Sequence, residues 1–280
     1  MAERPARKAP KARGAQVLRT ERITPHMVRV VLGGDDLRGF DVAGQADAYV
    51  KLCFAPEGAD YAHPFDMAAI RETHPRELWP TTRTYTVRSW DPATGELAID
   101  FVVHGDEGLA GPWAAAASAG DRMTLLGPGG GYAPRETAGW HLLVGDESAL
   151  PAIAAALEQM PQDATGLAYI EVADAAEEQK LTAPAGIAVR WLRRDGRPVG
   201  ELLTAAVAGL EFPSDDVQAF VHGEAAFVKE IRRHLRLERK IPADRLSISG
   251  YWRLGQNDDA WRAVKREWNE QVEREQESAA

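Results

Sequence analysis

The sequence predicts two architectures in series: an antiparallel β-barrel, then an α/β domain built on a parallel sheet of the nucleotide-binding kind. Three observations carry this. Short alternating runs bounded by turn residues recur through the first half. Near residue 138 the texture changes to continuous apolar runs separated by helical stretches. Between the two stands the turn Gly127-Pro128-Gly129-Gly130-Gly131.

Each element follows from local pattern. Residues 16–31 hold apolar positions in strand-like alternation, leading through Val28-Arg29-Val30-Val31-Leu32 into the turn signal Gly33-Gly34-Asp35-Asp36. Ala48 to Phe54 alternates again, whereas residues 56–80 are irregular and polar and read as a long surface loop. Arg83 to Trp90 and Glu96 to Val103 are β-rich runs joined by the hairpin signal Asp91-Pro92-Ala93-Thr94-Gly95. Arg122 to Leu126 completes the barrel set. Trp140 to Val144 reads as a strand buried on both faces, followed by a helix from Ala149 to Met160. Further strands fall at Leu167–Val172, Ala188–Leu192, Gln218–His222 and Ser247–Tyr251. Helical stretches lie around Glu201–Ala208 and Ala225–Arg239, and the charged stretch Asp258–Glu277 puts Trp261, Val264 and Trp268 on one helical face. The division expected is a disordered basic tail over 1–15, a barrel over 16–135, and the α/β domain with its C-terminal helix over 136–280.

Composition narrows the classes of function. The 280 residues are 45% hydrophobic and 27% charged, the profile of a soluble globular protein. No stretch reaches eighteen consecutive apolar residues and the N-terminus has no apolar h-region, so neither membrane insertion nor secretion is expected. The single cysteine, Cys53, makes no internal disulfide and rules out a thiolate-ligated iron–sulfur centre, which fits a reducing, cytoplasmic setting. A formal charge of −9 argues against nucleic-acid binding by the whole molecule. Only the tail, with Arg4, Arg7, Lys8, Lys11 and Arg13, is basic.

The most informative tetrapeptide is Arg83-Thr84-Tyr85-Thr86. On a strand, Arg83 and Tyr85 share one face and Thr84 and Thr86 the other. A flavin held along a strand needs a cation for its diphosphate, an aromatic surface and a small hydroxyl near the ring edge, and these residues supply all three. An ordinary strand with a surface arginine remains the alternative at this point. A second signal follows: a strand through Val103, the turn His104-Gly105-Asp106-Glu107-Gly108, then Leu109-Ala110-Gly111-Pro112-Trp113 opening a short helix. Glycines let backbone approach a diphosphate, and Asp106 and Glu107 are expected to point to solvent.

Taken in order, these motifs resemble the siderophore-interacting protein family of FAD-dependent ferric-siderophore reductases, of the ferredoxin reductase-like superfamily. The resemblance extends through Leu143-Val144-Gly145-Asp146-Glu147-Ser148, Gly223-Glu224 with the arginine-rich helix after it, and Gly250-Tyr251-Trp252-Arg253-Leu254-Gly255 with Asp258-Asp259. It covers roughly residues 16–265. It implies a flavin-binding barrel and a function: release of iron by reduction of Fe(III) to Fe(II) in siderophore complexes. Arg83, Thr84, Tyr85 and Thr86 are then expected at FAD, with Tyr85 on the isoalloxazine ring and Thr86 near its reactive edge. His104, Gly108, Ala110 and Gly111 are expected along the diphosphate or adenine side, and Trp252 near the outer face of the flavin. Lys51 and Arg253 are expected to line a cationic rim for an anionic ferric siderophore. No catalytic side chain and no protein-bound metal are expected, because the flavin carries the electrons.

The electron donor is less legible. In a dinucleotide fold, glycines open the helix that receives phosphate. Here the strand Trp140–Val144 runs into Gly145 and then Asp146-Glu147, carboxylates that repel phosphate. NADPH or NADH is expected in the region of Asp146 and Glu147 or along Arg190, Arg193 and Arg194, with reduced ferredoxin as the competing donor. The chain is expected to be a monomer. A general NAD(P)H–flavin oxidoreductase and a non-catalytic siderophore-binding module are the alternative functions.

Overall fold

The computed structural model describes residues 12–277. Seven antiparallel strands form the first sheet: β1 (Ala12–Thr24), β2 (Met27–Gly33), β3 (Tyr49–Phe54), β4 (Thr81–Thr86), β5 (Ser89–Asp91), β6 (Glu96–Val102) and β7 (Arg122–Gly129). Their order is β4-β3-β7-β1-β2-β6-β5, so the two edge strands are neighbours in the chain and the sheet curls toward itself as a barrel. Alternate residues point inward, which is why Val28, Val30 and Leu32 of β2 meet Leu97, Ile99 and Phe101 of β6 and Val50 and Leu52 of β3 in one core. Across the seam between β4 and β6, Tyr85 packs on Phe101 with ring centroids 4.4 Å apart.

Five parallel strands form the second sheet: β8 (Trp140–Gly145), β9 (Thr165–Val172), β10 (Gly186–Arg193), β11 (Val217–Glu224) and β12 (Leu246–Trp252), in the order β10-β9-β8-β11-β12. Every residue of β8 is buried, as its continuous apolar run requires for a strand covered on both faces. The helix that follows β8, α3 (Leu150–Gln159), packs with Leu143 and Phe220 on one face. The opposite face is covered by side chains from two later helices against Leu142, Val144 and Val221. Met27 and Tyr132 of the first half join the α3 cluster, so an apolar contact ties the two sheets together.

The helices are α1 (Met67–Thr73), α2 (Ala110–Ala116), α3 (Leu150–Gln159), α4 (Glu201–Ala208), α5 (Ala225–Arg233) and α6 (Asp258–Glu277). Several boundaries differ from the sequence reading. Of the basic tail, residues 1–11 lie outside the described residues, while 12–15 belong to β1. Arg13 there donates to the carbonyls of Asp36, Arg38 and Gly39, partners the local composition does not reveal. The 56–80 loop contains α1, capped by Asp66, whose side chain accepts from Ala68 and Ala69. The run from Arg83 to Trp90 is two strands, because the chain leaves β3 after Thr86 and joins β6 at Ser89. Helix α5 gives way at His234 to a π-helical turn ending at Glu238. On α6, Trp261 and Val272 are buried and Trp268 packs on Trp261 at 5.3 Å, whereas Val264 is exposed.

Candidate functional site

Strand β4 distributes its side chains as the alternation predicts. Arg83 and Tyr85 stand opposite Leu52 and Val50 on the barrel side, and Thr84 and Thr86 stand opposite Lys51 and Tyr49 on the other. Tyr85 is braced from behind by an aromatic ladder: Phe101 meets Trp113 at 5.6 Å, and Trp113 meets Phe54 at 5.8 Å. Burial pushes the Tyr85 phenol up to about 12, with Asp258 adding to the rise and Arg83 opposing it, so the ring is neutral at ordinary pH. The Arg83 guanidinium donates to both carboxylate oxygens of Asp259, at 3.0 and 2.9 Å. Thr86 is buried against Tyr251, whose phenol burial raises and the Thr86 hydroxyl, by hydrogen bonding, draws back down.

The glycine turn is exposed from His104 to Leu109, and Asp106 and Glu107 face solvent as expected. Gly108 adopts φ +86°, and a Cβ there would meet nothing within 4 Å, so its backbone is open on one side. Ala110 is buried in the barrel core. A Cβ on Gly111 would come within 3.3 Å of the Val102 carbonyl, so the small residue there answers to the packing of α2 on β6.

At the C-terminal edge of the parallel sheet, the strand order reverses between β8 and β11, where folds of this kind open a ligand crevice. That crevice is bridged from within. Asp146 is fully buried and accepts from the Ser148 N–H (2.9 Å) and hydroxyl (2.5 Å), the Glu224 N–H (2.9 Å) and the Trp252 indole (2.8 Å). Burial raises its carboxyl while these donors pull it down. Both of its oxygens are thus engaged by the protein's own donors. Glu147 is paired with Arg194 at 2.5 Å, and Arg193 with Glu178 at 2.7 Å. Arg190 is exposed and has no ion pair among the described residues. A cleft of about 110 Å³ between the two sheets brings His104 together with His26, Glu147, Glu177 and Arg194.

Residues 16–132 match the siderophore-interacting FAD-binding domain, and residues 138–255 match the siderophore-interacting protein model. The chain belongs to the siderophore-interacting protein family. Within it, the chain is 35% identical over 250 residues to the ferric vibriobactin reductase of Vibrio cholerae, covering 87% of this chain and 90% of that one. The NADPH-dependent ferric-chelate reductase of Escherichia coli is 34% identical over 241 residues, 84% of this chain and 91% of that one. The crystal structure of a siderophore utilization protein from T. fusca superposes with TM-score 0.77 at 40% identity, covering 89% and 95%. A ferredoxin-NADP+ reductase from Plasmodium falciparum, at 10% identity and TM-score 0.63, shares the fold. These findings support a siderophore-related flavin reductase, an oxidoreductase with an FAD-binding domain. Among the described residues no helix is long and apolar enough to cross a membrane.

The donor set fits the flavin that the family's domain binds: a guanidinium, a braced phenol ring and a hydroxyl follow one another on one strand. Lys51 and Arg253 are half-exposed and make no ion pair among the described residues. Arg253 instead stacks its guanidinium 5.9 Å from the Trp261 ring. Sequence reasoning missed two partners of this site. Tyr251 is the first, and its contact with Thr86 depends on the docking of one sheet on the other. Asp259 is the second; two adjacent carboxylates opening a helix give no hint of which cation one of them holds.

Proposed function

We propose that this chain binds FAD along β4 and reduces ferric iron held by a siderophore, releasing it as Fe(II). The observation that carries this reading is Arg83, Tyr85 and Thr86 in succession on β4, with Tyr85 braced on Phe101 at 4.4 Å. Bound FAD supplies the conversion of a two-electron donor into single-electron steps, which ferric iron requires. Arg83 binds phosphate through its planar fork, Tyr85 presents a ring for the isoalloxazine to stack on, and Thr86 offers a hydroxyl to the flavin's reactive edge. Thr84, on the opposite face and exposed, stands beside Lys51 at the mouth. His104 and Gly108 border the diphosphate or adenine portion, the glycine leaving its backbone open to the ligand. Trp252 covers the outer face, its indole held by Asp146. Lys51 and Arg253, without carboxylate partners, attract the anionic ferric complex.

The donor in this reading is a nicotinamide nucleotide, NADPH or NADH, with reduced ferredoxin the rival. The name of the Escherichia coli relative favours NADPH. With Asp146 closed into the protein and Glu147 paired to Arg194, the nucleotide's phosphates have Arg190 as their free cation on β10. A cytoplasmic, monomeric protein suits this chemistry. The test is an anaerobic absorbance spectrum of the purified protein with NADH, NADPH and reduced ferredoxin added in turn, then a ferric siderophore with an Fe(II) chelator. Bleaching of a flavin band followed by Fe(II) capture is expected. A colourless protein that takes up no FAD would end the reading, and donor oxidation that ferric complexes leave unchanged would move it to a general flavin oxidoreductase.

A further inference from the structure

We propose that Asp259, in the first turn of α6, is a positioning residue that holds Arg83 ready for a diphosphate, so that the docking of α6 on β4 sets cofactor affinity. The inference rests on the reading of Arg83 given above. Arginine has five N–H bonds, two on each terminal nitrogen and one on Nε. In Arg83, Nη1 donates to Asp259 Oδ1 at 3.0 Å and to the Thr82 carbonyl at 3.1 Å, and Nη2 donates to Asp259 Oδ2 at 2.9 Å. Nε–H and the second Nη2–H keep no partner among the described residues. Those two are the parallel donors along the side of the guanidinium, the edge that grips a phosphate bidentately. Asp259 thus takes the end of the fork and leaves its side.

The arrangement is held from two directions. Arg262, one turn along α6, donates from Nη1 to the Thr82 carbonyl at 2.7 Å and to the Thr82 hydroxyl at 2.8 Å, pinning the strand just before Arg83. Trp261 is 1% exposed and seats the helix on β12, where a Cβ on Gly250 would come within 3.2 Å of its ring. Arg83 and Asp259 are 176 residues apart, so the pair joins the barrel to the chain's last helix. A long arginine left without such a clamp loses rotamer freedom when it binds phosphate, and a clamp removes that cost beforehand. Asp259 itself has a side chain 61% exposed, so the core does not depend on it. The opposing consideration is charge: Asp258 brings a second carboxylate to 3.4 Å from Arg83, and both carboxylates repel a diphosphate. Geometry and charge therefore predict opposite signs for loss of Asp259, which makes the experiment decisive.

The experiment is titration of the full chain with FAD, followed by flavin fluorescence, for wild type, Asp259→Ala, Asp259→Glu, Arg83→Ala and the Arg83→Ala/Asp259→Ala double variant. Asp259→Ala is expected to weaken FAD binding about tenfold, the size of one charge-assisted contact. Asp259→Glu should recover part of that loss. In the Arg83→Ala background the Asp259 change should cost nothing further, because its effect passes through the arginine. Unchanged or tighter FAD binding by Asp259→Ala would overturn the proposal, as would an equal loss with and without Arg83. A wild type that binds no FAD would instead defeat the cofactor reading on which the proposal rests.

Discussion

The indole N–H of Trp252 and the backbone N–H of Glu224 converge on one oxygen, Oδ2 of Asp146, at 2.8 and 2.9 Å. One buried carboxylate thereby fixes the ends of β8, β11 and β12 relative to one another. Asp146→Ala strands these donors together with those of Ser148, and a loss of about 2–4 kcal/mol in unfolding free energy follows. Trp252→Phe removes a single donor and should cost about 1 kcal/mol. Urea denaturation measures both; an Asp146→Ala midpoint equal to wild type would remove Asp146 from its central place.

The seam between the sheets offers a second carboxylate to test. Glu177, 4% exposed, accepts from the Thr24 hydroxyl at 2.5 Å and from the backbone N–H and Nδ1 of His26, at 3.1 and 2.7 Å. Glu177→Ala should destabilise the protein by about 2 kcal/mol and loosen the barrel from the α/β sheet. Chemical denaturation followed by separate probes on the two halves would reveal it as a split transition. A single transition at the wild-type midpoint would mean that the apolar contact of Met27 and Tyr132 with the α3 cluster holds the seam by itself.

His222 carries a pH prediction. It is buried, stacked on Phe220 at 3.8 Å, and bonded through Nε2 to Ser247, while burial and then the nearby Lys265 push its pKa down to about 3. The native state therefore binds fewer protons than the unfolded chain between about pH 3 and the ordinary histidine range near 6.5. Its contribution to stability is complete above that range and is lost as pH falls toward 3. A His222→Phe variant, which keeps the stack, should show a shallower decline in that window, by up to about 1.4 kcal/mol per pH unit. Equal slopes for the two proteins in urea titrations at pH 4, 5 and 6 would show that His222 does not titrate on unfolding.

For the proposed cationic rim, Lys51→Ala is expected to raise the Kd for anionic ferric complexes several-fold, with FAD content unchanged. The effect should shrink as salt is added, since a half-exposed cation acts through a field that salt screens. Identical binding of several ferric siderophores by variant and wild type would take Lys51 out of the rim.

Much of this architecture was legible in the residues. The alternation of β2, β3 and β6 and the unbroken apolar run of β8 report how many faces of each strand are covered, a property each strand carries in its own side chains. The Arg83-Thr84-Tyr85-Thr86 alternation was readable for the same reason. Ala110 and Gly111 show where pattern stops: a small residue serves close packing and close ligand approach alike, and the structure adds the packing, with position 111 set against the Val102 carbonyl. Asp146 has the same ambiguity. A carboxylate after a strand looks the same in sequence whether it faces solvent or is sealed under an indole.

By itself the sequence determined the succession of barrel and α/β sheet, the side on which each β4 residue stands, and the family to which its motifs belong. These follow from short-range periodicity and spacing, which the chain carries wherever it goes. Tertiary structure alone decided the partners: Asp259 for Arg83, Asp146 for Trp252, Glu177 for Thr24 and His26. Such pairs join residues more than a hundred positions apart, and their choice depends on where helices and sheets come to rest against one another.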